Sequence, residues 1–268
     1  MRVRIVFLLR NRGSYVPFHH QYLLAQMIKG ILMKGGTKDF VDFSLYNFSG
    51  LKGQTKISRK GLHFYSSRVT LVLSSPSKEF IDYFLMNLFE LEQVEIGNLV
   101  IQPEDVELEN RVEFGDNTKF ICISPVVILS SSFNDTTAKR FIPPETDSFS
   151  DLLYESTMTR MQSTGMFSEE QMAGFYKFQL VPDKNYLARL NAAQKKFARI
   201  YPVFDQDVKY EIRGYTFPFT LYAAKEVQEF VFHSGLGKFT HKGFGMLDVA
   251  NTNPNQRVLK YEFNLAQA

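Results

Sequence analysis

The sequence predicts an α+β protein built from two tandem ferredoxin-like (βαββαβ) domains. The chain has 268 residues, which suits two domains of ordinary size. Of these residues 44% are hydrophobic, including 26 Phe and 13 Tyr, which is enough to fill two cores. In the first half the predicted elements follow the order strand, helix, strand, strand, helix, strand. The second half also offers βαβ elements, without a sequence repeat between the halves.

The first half begins with a predicted strand over residues 2–10, where apolar and charged residues alternate. A helix is predicted from about His20 to Met33 because its apolar residues form one stripe, and Gly35-Gly36 ends it. His20 would lie in that stripe, which indicates a hydrogen-bonded structural histidine. The remaining elements are two strands, a helix and a last strand, at Phe43–Phe48, Leu62–Leu73, Ser77–Leu91 and Val94–Gln102.

The second half is separated from the first by a charged stretch that ends in the turn Gly115-Asp116-Asn117. The predicted domains are therefore residues 1–115 and 116–268. The second domain contains a helix over about Asp147–Gln162 and another that begins at Pro218. Its predicted strands are Lys119–Leu129 (interrupted at Ser124-Pro125), Phe175–Val181, Lys196–Phe204, Val208–Arg213, Phe244–Val249 and Val258–Phe263.

Composition narrows the class of protein. The net charge of +3 is only mildly basic, so a polyanionic partner has to be argued from local clusters. Cys122 is the single cysteine and lies in an apolar run, which favours a buried thiol in a reducing compartment. No apolar run approaches the roughly 20 residues that span a bilayer. These features predict a soluble, cytoplasmic protein that does not contact a membrane.

A glycine-rich stretch runs from Gly235 to Met246 between an amphipathic segment and an apolar one. It has two interpretations. The first is a turn between a helix and a strand. The second is a loop whose main-chain NH groups approach an anion, with cations beside them. Its candidate binding residues are Gly235, Gly237, Lys238, His241, Lys242, Gly243 and Gly245.

A second cationic segment, Lys52–Gly61, is predicted to connect two strands as a polar hairpin. It is either a solvated loop or a surface that contacts phosphates. In the second case the candidate binding residues are Lys52, Lys56, Arg59 and Lys60.

Several kinds of site are excluded by spacing. The chain has no C-x-x-C, no H-E-x-x-H and no carboxylate cluster at helical intervals, so neither a metal nor another cofactor is expected. The glycine-rich stretch does not form a Walker loop, and it comes too late in the chain for a Rossmann loop. A nucleotide- or phosphometabolite-binding enzyme is therefore disfavoured. Scattered lysines, histidines and many aromatic residues suit RNA binding better.

Four segments carry a family resemblance. Gly235-x-Gly237 with Gly243-Phe244-Gly245-Met246 resembles the glycine-rich loop of CRISPR-associated endoribonucleases that process CRISPR repeat transcripts, in the repeat-associated mysterious protein superfamily. The segment from Pro17 to Leu24 resembles the family's entry into its first helix. Ile123–Val127 and Phe141–Pro144 resemble segments of its second domain, so the resemblance spans nearly the whole chain.

The resemblance implies metal-independent cleavage of CRISPR repeat RNA. The ribose 2′-hydroxyl attacks the adjacent phosphate and leaves a 2′,3′-cyclic phosphate and a 5′-hydroxyl. This reaction needs a base, an acid and a cation beside the phosphorane. Other subunits of a CRISPR effector complex are implied as further partners, and the chain is expected to be a monomer or homodimer.

The catalytic residues depart from the pattern implied by the family, which often uses a helix tyrosine, a histidine soon after it and a lysine. Lys29 stands at the position that best matches the tyrosine, and no histidine occurs between His20 and His63. Lys29 is the predicted phosphate-stabilising residue and His19 the predicted acid or base. The alternative is that Lys29 is a solvated helix lysine and His19 a capping residue, in which case the protein binds repeat RNA without cutting it.

Overall fold

A computed structural model describes residues 1–129, 138–205 and 208–262. The described chain forms two compact units. Unit 1 contains Met1–Arg111, His241–Gly243 and the described residues from Asn253 onwards. Unit 2 contains the described residues of Val112–Thr240 and Phe244–Thr252. The domain boundary between residues 115 and 116 stays a prediction.

The helices and strands alternate along the chain. Up to residue 111 they are β1 (Arg2–Leu9), β2 (Tyr15–Val16), α1 (Gln21–Lys34), α2 (Lys38–Val41), β3 (Asn47–Phe48), β4 (Thr55–Ser58), β5 (Gly61–Phe64), β6 (Arg68–Ser74), α3 (Lys78–Phe89), β7 (Val94–Ile96) and β8 (Leu99–Glu109). From residue 112 they are β9 (Asn117–Cys122), β10 (Val126–Val127), α4 (Asp147–Ser163), α5 (Glu169–Gly174), β11 (Phe178–Pro182), α6 (Lys184–Ala192), β12 (Ala198–Asp205), β13 (Val208–Tyr215), β14 (Phe219–Ala223), α7 (Lys225–Ser234), β15 (Leu247–Val249) and β16 (Val258–Lys260). Short 3₁₀ helices cover Thr240–Lys242 and Pro254–Arg257.

The main sheet of unit 1 has the strand order β16-β8-β1-β6-β3, and β7 pairs with β8. Every pairing is antiparallel. With α1 and α3 between them, β1, β3, β6 and β8 have the connectivity and order of a ferredoxin-like domain. Alternate β1 residues, from Val3 to Leu9, are buried in one core with the apolar stripes of α1 and α3.

A separate three-stranded sheet in unit 1 has the order β2-β5-β4. It contains the hairpin of β4 and β5, with Arg59 and Lys60 at the turn. Tyr15 on β2 lies opposite His63 on β5. We call these three strands the hairpin sheet.

Unit 2 contains a four-stranded antiparallel sheet with the order β11-β14-β9-β15 and a three-stranded sheet with the order β10-β13-β12. Helix α4 packs against β11 and α7, and α7 also contacts β14 and β15. The largest buried side chains of this unit are aromatic, at Phe120, Phe149, Tyr215, Phe219, Phe232 and Phe244. No described helix is long and apolar enough to cross a membrane.

Two predicted elements of the second half are wrong in type or position. The segment after Pro218 forms strand β14, and the helix begins only at Lys225. Phe219, Leu221 and Ala223 are buried alternately, which is the period of a strand. The strand predicted over 175–181 begins only at Phe178, because residues 169–174 form the short helix α5, which begins with a capping box.

The prediction of one strand over Leu62–Leu73 is also wrong. Two strands, β5 and β6, occupy this stretch and belong to different sheets. The strand predicted over Phe43–Phe48 is confirmed only at Asn47–Phe48. Of the closing strand, Val258–Lys260 is confirmed, and Phe263 lies outside the described residues.

Candidate functional site

The cationic segment that the sequence predicted as a hairpin connection is a hairpin with strands of its own. Lys52, Lys56, Arg59 and Lys60 are all exposed. From Lys52 to Ser67 the sequence contains no acidic residue, so the hairpin presents positive charge without a carboxylate of its own. A surface of this kind attracts a polyanion. Contact of these residues with RNA stays a prediction.

One face of the hairpin sheet brings together three polar side chains from its three strands. His63 lies opposite Tyr15 on one side and Lys56 on the other. Directly opposed residues of neighbouring strands point to the same face. The rings of Tyr15 and His63 are 5.2 Å apart between centroids.

The hydrogen bonds of His63 define its tautomer. Its Nδ1 lies 2.7 Å from the carbonyl oxygen of Gly13, which can only accept, so Nδ1 carries the proton. Nε2 then accepts a hydrogen bond from the Ser58 hydroxyl, whose oxygen lies 2.9 Å away. The backbone NH of Lys60 in turn donates to Ser58 Oγ over 3.0 Å. The imidazole ring thus directs Nε2 at a hydroxyl group.

Two lysines of the hairpin lie close to aromatic rings. The Lys56 ammonium is 5.0 Å from the centroid of the Tyr65 ring, and the Lys60 ammonium is 5.9 Å from that of Tyr15. These are cation–π distances. They hold both ammonium groups over the hairpin sheet.

The first helix carries the two predicted catalytic residues. Lys29 is exposed on α1, and His19 is partly buried and immediately precedes the N-cap residue, His20. Because an α-helix rises about 1.5 Å per residue, Lys29 lies roughly 13 Å from that cap along the helix axis. The helix therefore does not bring Lys29 and His19 side by side, and their catalytic roles stay predictions.

His20 is buried and structural. Its Nδ1 donates to the carbonyl of Pro17 at 3.2 Å, and its Nε2 accepts from the backbone NH of Leu51 at 3.2 Å. Burial lowers the pKa of His20, and the nearby His19 lowers it further against the effect of backbone hydrogen bonds. These contacts agree with the interpretation of His20 as a hydrogen-bonded histidine.

The glycine-rich stretch is tightly packed. Gly235, Gly237, Gly243 and Gly245 are all buried. Gly237 and Gly245 have positive φ, and an added Cβ would lie 2.3 Å and 2.0 Å from the carbonyl oxygens of Val127 and Leu236. Only glycine fits such positions. These glycines therefore have a packing role, and contact between their own atoms and RNA stays a prediction.

Several main-chain NH groups around these glycines donate within the protein. The NH of Leu236 donates to Gly245, and the NH of Gly245 donates to Pro125. The NH of Lys238 donates to the carbonyl of Val127 at 2.9 Å. An anion-binding loop needs such groups free. These NH groups are therefore not available to an anion, and the choice between a turn and an anion-binding loop for the whole stretch stays a prediction.

The cations of the glycine-rich stretch are partly buried at Lys238, His241 and Lys242. His241 and Lys242 belong to unit 1, where the His241 ring lies 6.4 Å from the Tyr46 ring. Lys238 belongs to unit 2. Contacts of these three residues with RNA stay predictions.

Arg160, which the sequence did not single out, holds the start of the glycine-rich stretch in unit 2. Its guanidinium donates to the carbonyl oxygens of Ser234 (2.7 Å), Gly235 (2.8 Å) and Gly237 (3.4 Å). Burial lowers its pKa to about 10. The carbonyl oxygens at the C-terminal end of α7 are where a cation is favoured.

In the part of the chain that the structure describes, the remaining groups provide no metal or thiol site. Among the described residues, no three His, Cys, Asp or Glu side chains come together as metal ligands could. The Cys122 thiol donates to the carbonyl of Phe217 at 3.2 Å, and burial raises its pKa to about 12. A thiol with so little thiolate is a poor nucleophile.

Comparisons with known proteins match nearly the whole chain. Residues 107–249 match the family model described as CRISPR associated protein Cas6, C-terminal. A CRISPR-associated endoribonuclease-like protein Cas6 of Pyrococcus furiosus is 24% identical over 259 residues, which cover 93% of this chain and 98% of that protein.

Two solved structures share the fold. The product of a Cas6-related gene from Pyrococcus furiosus has a TM-score of 0.76 at 22% identity, over 94% of this chain and 99% of that chain. An RAMP protein that binds different RNA substrates has a TM-score of 0.75 at 19% identity, over 93% of this chain and 99% of that chain. The predicted α+β fold of ferredoxin-like domains is confirmed.

Proposed function

Because the chain belongs to the Cas6 family of CRISPR-associated proteins, we propose that it binds CRISPR repeat RNA and cleaves it as an endoribonuclease. The ribose 2′-hydroxyl upstream of the cut attacks the phosphate, and no metal ion takes part. The products carry a 2′,3′-cyclic phosphate and a 5′-hydroxyl and mature into guide RNA.

The observation that carries this proposal is the exposed basic hairpin. Lys56, Arg59 and Lys60 lie within five consecutive residues, at or beside a tight turn, and Lys52 precedes them. Cations held on a short hairpin can follow a phosphate backbone, and their attraction to RNA is independent of base sequence.

For the chemical step, Lys29 and His19 are the candidates that the sequence predicts. An exposed lysine can stabilise the charge of the phosphorane, and a histidine can transfer a proton. Since roughly 13 Å of helix separates Lys29 from the N-cap, the side chains of Lys29 and His19 would both have to extend toward one phosphate.

That separation favours a second candidate function, which is RNA binding without cleavage. In this case the same basic surface would hold the repeat RNA, and the chain would serve as a binding subunit of a CRISPR effector complex. Both functions predict tight binding, and only the first predicts cut RNA.

The decisive experiment incubates the purified chain with end-labelled repeat RNA in excess chelator. We expect one specific cut, with a cyclic phosphate on the upstream product. A matched RNA with a 2′-deoxy sugar at the cut should bind equally well and stay intact. Tight binding of both RNAs with no cut in either would establish the binding-only function.

Helix variants test the predicted catalytic residues in the same assay. Lys29→Ala and His19→Ala should each slow cleavage about a hundredfold if they act in proton transfer or charge stabilisation. Lys34→Ala is the matched control, since it removes another exposed lysine at the end of the same helix. Rates near that of the unmodified chain in both variants would refute the assignment to α1.

A further inference from the structure

The face of the hairpin sheet that carries Tyr15, Lys56 and His63 has the groups that RNA cleavage by 2′-hydroxyl attack requires. The three residues come from three strands and lie opposite one another in register. A phenol, an ammonium and an imidazole can serve as acid, cation and base. By contrast, the predicted catalytic residue Lys29 lies roughly 13 Å along the axis of α1 from the N-cap residue that follows His19.

The imidazole of His63 is oriented as a base. The carbonyl of Gly13 holds the proton on Nδ1, which leaves the lone pair of Nε2 directed at the Ser58 hydroxyl, 2.9 Å away. A base whose ring is fixed by a third group and whose free nitrogen meets a hydroxyl is the arrangement that activates hydroxyl nucleophiles.

Positive charge is held beside this base. The ammonium groups of Lys56 and Lys60 lie 5.0 Å and 5.9 Å from the rings of Tyr65 and Tyr15. No acidic residue occurs in the hairpin segment from Lys52 to Ser67. An anion is therefore the class of ligand that this face favours, and a phosphate placed here would lie within reach of His63.

We propose that His63 is the proton acceptor of the cleavage reaction and that the scissile phosphate binds on this face of the hairpin sheet. The ribose 2′-hydroxyl takes the position of the Ser58 hydroxyl and gives its proton to Nε2. The 2′-oxygen then forms a bond to phosphorus, and the bond from phosphorus to the 5′-oxygen breaks.

The remaining groups complete the reaction. The Tyr15 phenol gives its proton to the departing 5′-oxygen, so one proton enters and one leaves the protein. Lys60 and Lys56 stabilise the negative charge of the phosphorane. This assignment rests on the proposed endoribonuclease function and gives its base, acid and cation to the hairpin sheet in place of His19 and Lys29.

The test compares single-turnover cleavage with affinity for the 2′-deoxy RNA. His63→Ala should lower the cleavage rate at least about a hundredfold, while the dissociation constant for the uncut RNA changes less than about threefold. Added imidazole should restore part of the rate in this variant. His63→Asn places an amide NH at the level of Nδ1, where it can donate to Gly13 but cannot transfer a proton, and it should lose the same rate.

Two further variants separate catalysis from folding of the hairpin. Ser58→Ala removes the hydroxyl that occupies Nε2, and its cleavage rate should stay within about threefold of that of the unmodified chain or rise. His233→Ala, on α7 in unit 2, is the control histidine and should leave the rate unchanged.

The outcomes distinguish this assignment from the proposed function. A His63→Ala protein that cleaves normally overturns the assignment and leaves the function standing. A loss of RNA affinity as large as the loss of rate, or a Ser58→Ala variant as slow as His63→Ala, shows a structural role and also overturns it. An unmodified chain that binds RNA without cutting defeats the function and the assignment together.

Discussion

The guanidinium of Arg160 donates to the carbonyl oxygen of Gly235 at 2.8 Å and joins the last turn of α4 to the C-terminal end of α7. The same group reaches Ser234 and Gly237, and it lies 5.4 Å from the centroid of the Phe230 ring. One side chain therefore holds the end of a helix and the beginning of the glycine-rich stretch. The glycine-rich stretch is positioned by a cation of the protein itself.

Replacing Arg160 should loosen this junction. Arg160→Met should lower the free energy of unfolding by about 2–4 kcal/mol, because hydrogen bonds from a charged donor are lost and carbonyl groups lose their partner. Arg160→Lys should lose less, since a lysine keeps the charge without the planar fork. Urea denaturation measures both. Arg189→Ala, at an exposed arginine of α6, is the control, and an equal loss there would contradict the role of Arg160.

Gly245 should not tolerate a side chain. Its φ is +73°, and an added Cβ would lie 2.0 Å from the Leu236 carbonyl oxygen. Gly245→Ala should therefore lower the free energy of unfolding by at least about 2 kcal/mol, because a left-handed backbone is already costly for L-residues before any clash. Thermal unfolding followed by circular dichroism measures the loss.

The control for Gly245 is Gly174→Ala in the same unit. Gly174 ends α5, and an added Cβ there meets no described atom within 4 Å. The free energy of unfolding of the Gly174→Ala variant should be unchanged or slightly higher, because alanine is favoured over glycine in a helix. Similar losses in both variants would show that Gly245 is not specially constrained.

Acid should destabilise unit 1 through His20. Burial lowers its pKa in the folded chain below the unfolded value, so at mildly acidic pH the unfolded chain binds more protons. Stability is then fully present above the unfolded pKa, near 6.5, and falls as the pH drops below it. Protonation of Nε2 would also remove the acceptor of the Leu51 NH.

The measurement for His20 is urea denaturation at a series of pH values from about 7.5 to 5. The unmodified chain should lose stability across this range. His20→Gln removes the titrating group, so its stability should be lower at neutral pH but change less with acid. Parallel pH profiles for the two proteins would show that His20 does not carry the effect.

RNA affinity should depend on salt through the hairpin cations. If Arg59 and Lys52 each contact a phosphate, removing one should weaken binding to single-stranded RNA and reduce the slope of log K against log salt by about 0.7. Fluorescence anisotropy at several salt concentrations measures the slope. Lys184→Ala removes an exposed lysine of α6 and should leave it unchanged. Unchanged slopes in the hairpin variants would place the RNA elsewhere.

Local sequence patterns were sufficient to predict many of the helices and strands. The apolar stripe of α1 and the glycines after it are short-range signals, and the helix ends at Lys34 as they predict. Ser77 precedes α3 and its hydroxyl accepts from the NH of Phe80, which is the capping contact that such a residue makes. Elements with their own periodicity and caps can be predicted without tertiary contacts.

The hairpin-sheet cluster could not be predicted in this way. Tyr15 and His63 meet because β2 pairs with β5 although α1, α2, β3 and β4 lie between them in the chain, and that register is a long-range property. The sequence of α4 likewise does not indicate that Arg160 contacts main-chain carbonyl groups more than 70 residues later. The strand after Pro218 could not be predicted either. The alternation of buried residues in β14 merges with an amphipathic pattern that continues into α7, so the whole segment resembles a single helix.

Strand β16 has a consequence for the order in which the protein assembles. It pairs with residues 107–109 of β8, beyond the part of that strand that pairs with β7, although it is synthesised after all of β9 to β15. A nascent chain therefore carries an open edge at residues 107–109 of β8 while the ribosome makes unit 2, and open edges invite pairing with other chains. Removing residues from 253 onwards should leave that edge exposed permanently and make the shortened chain prone to self-association.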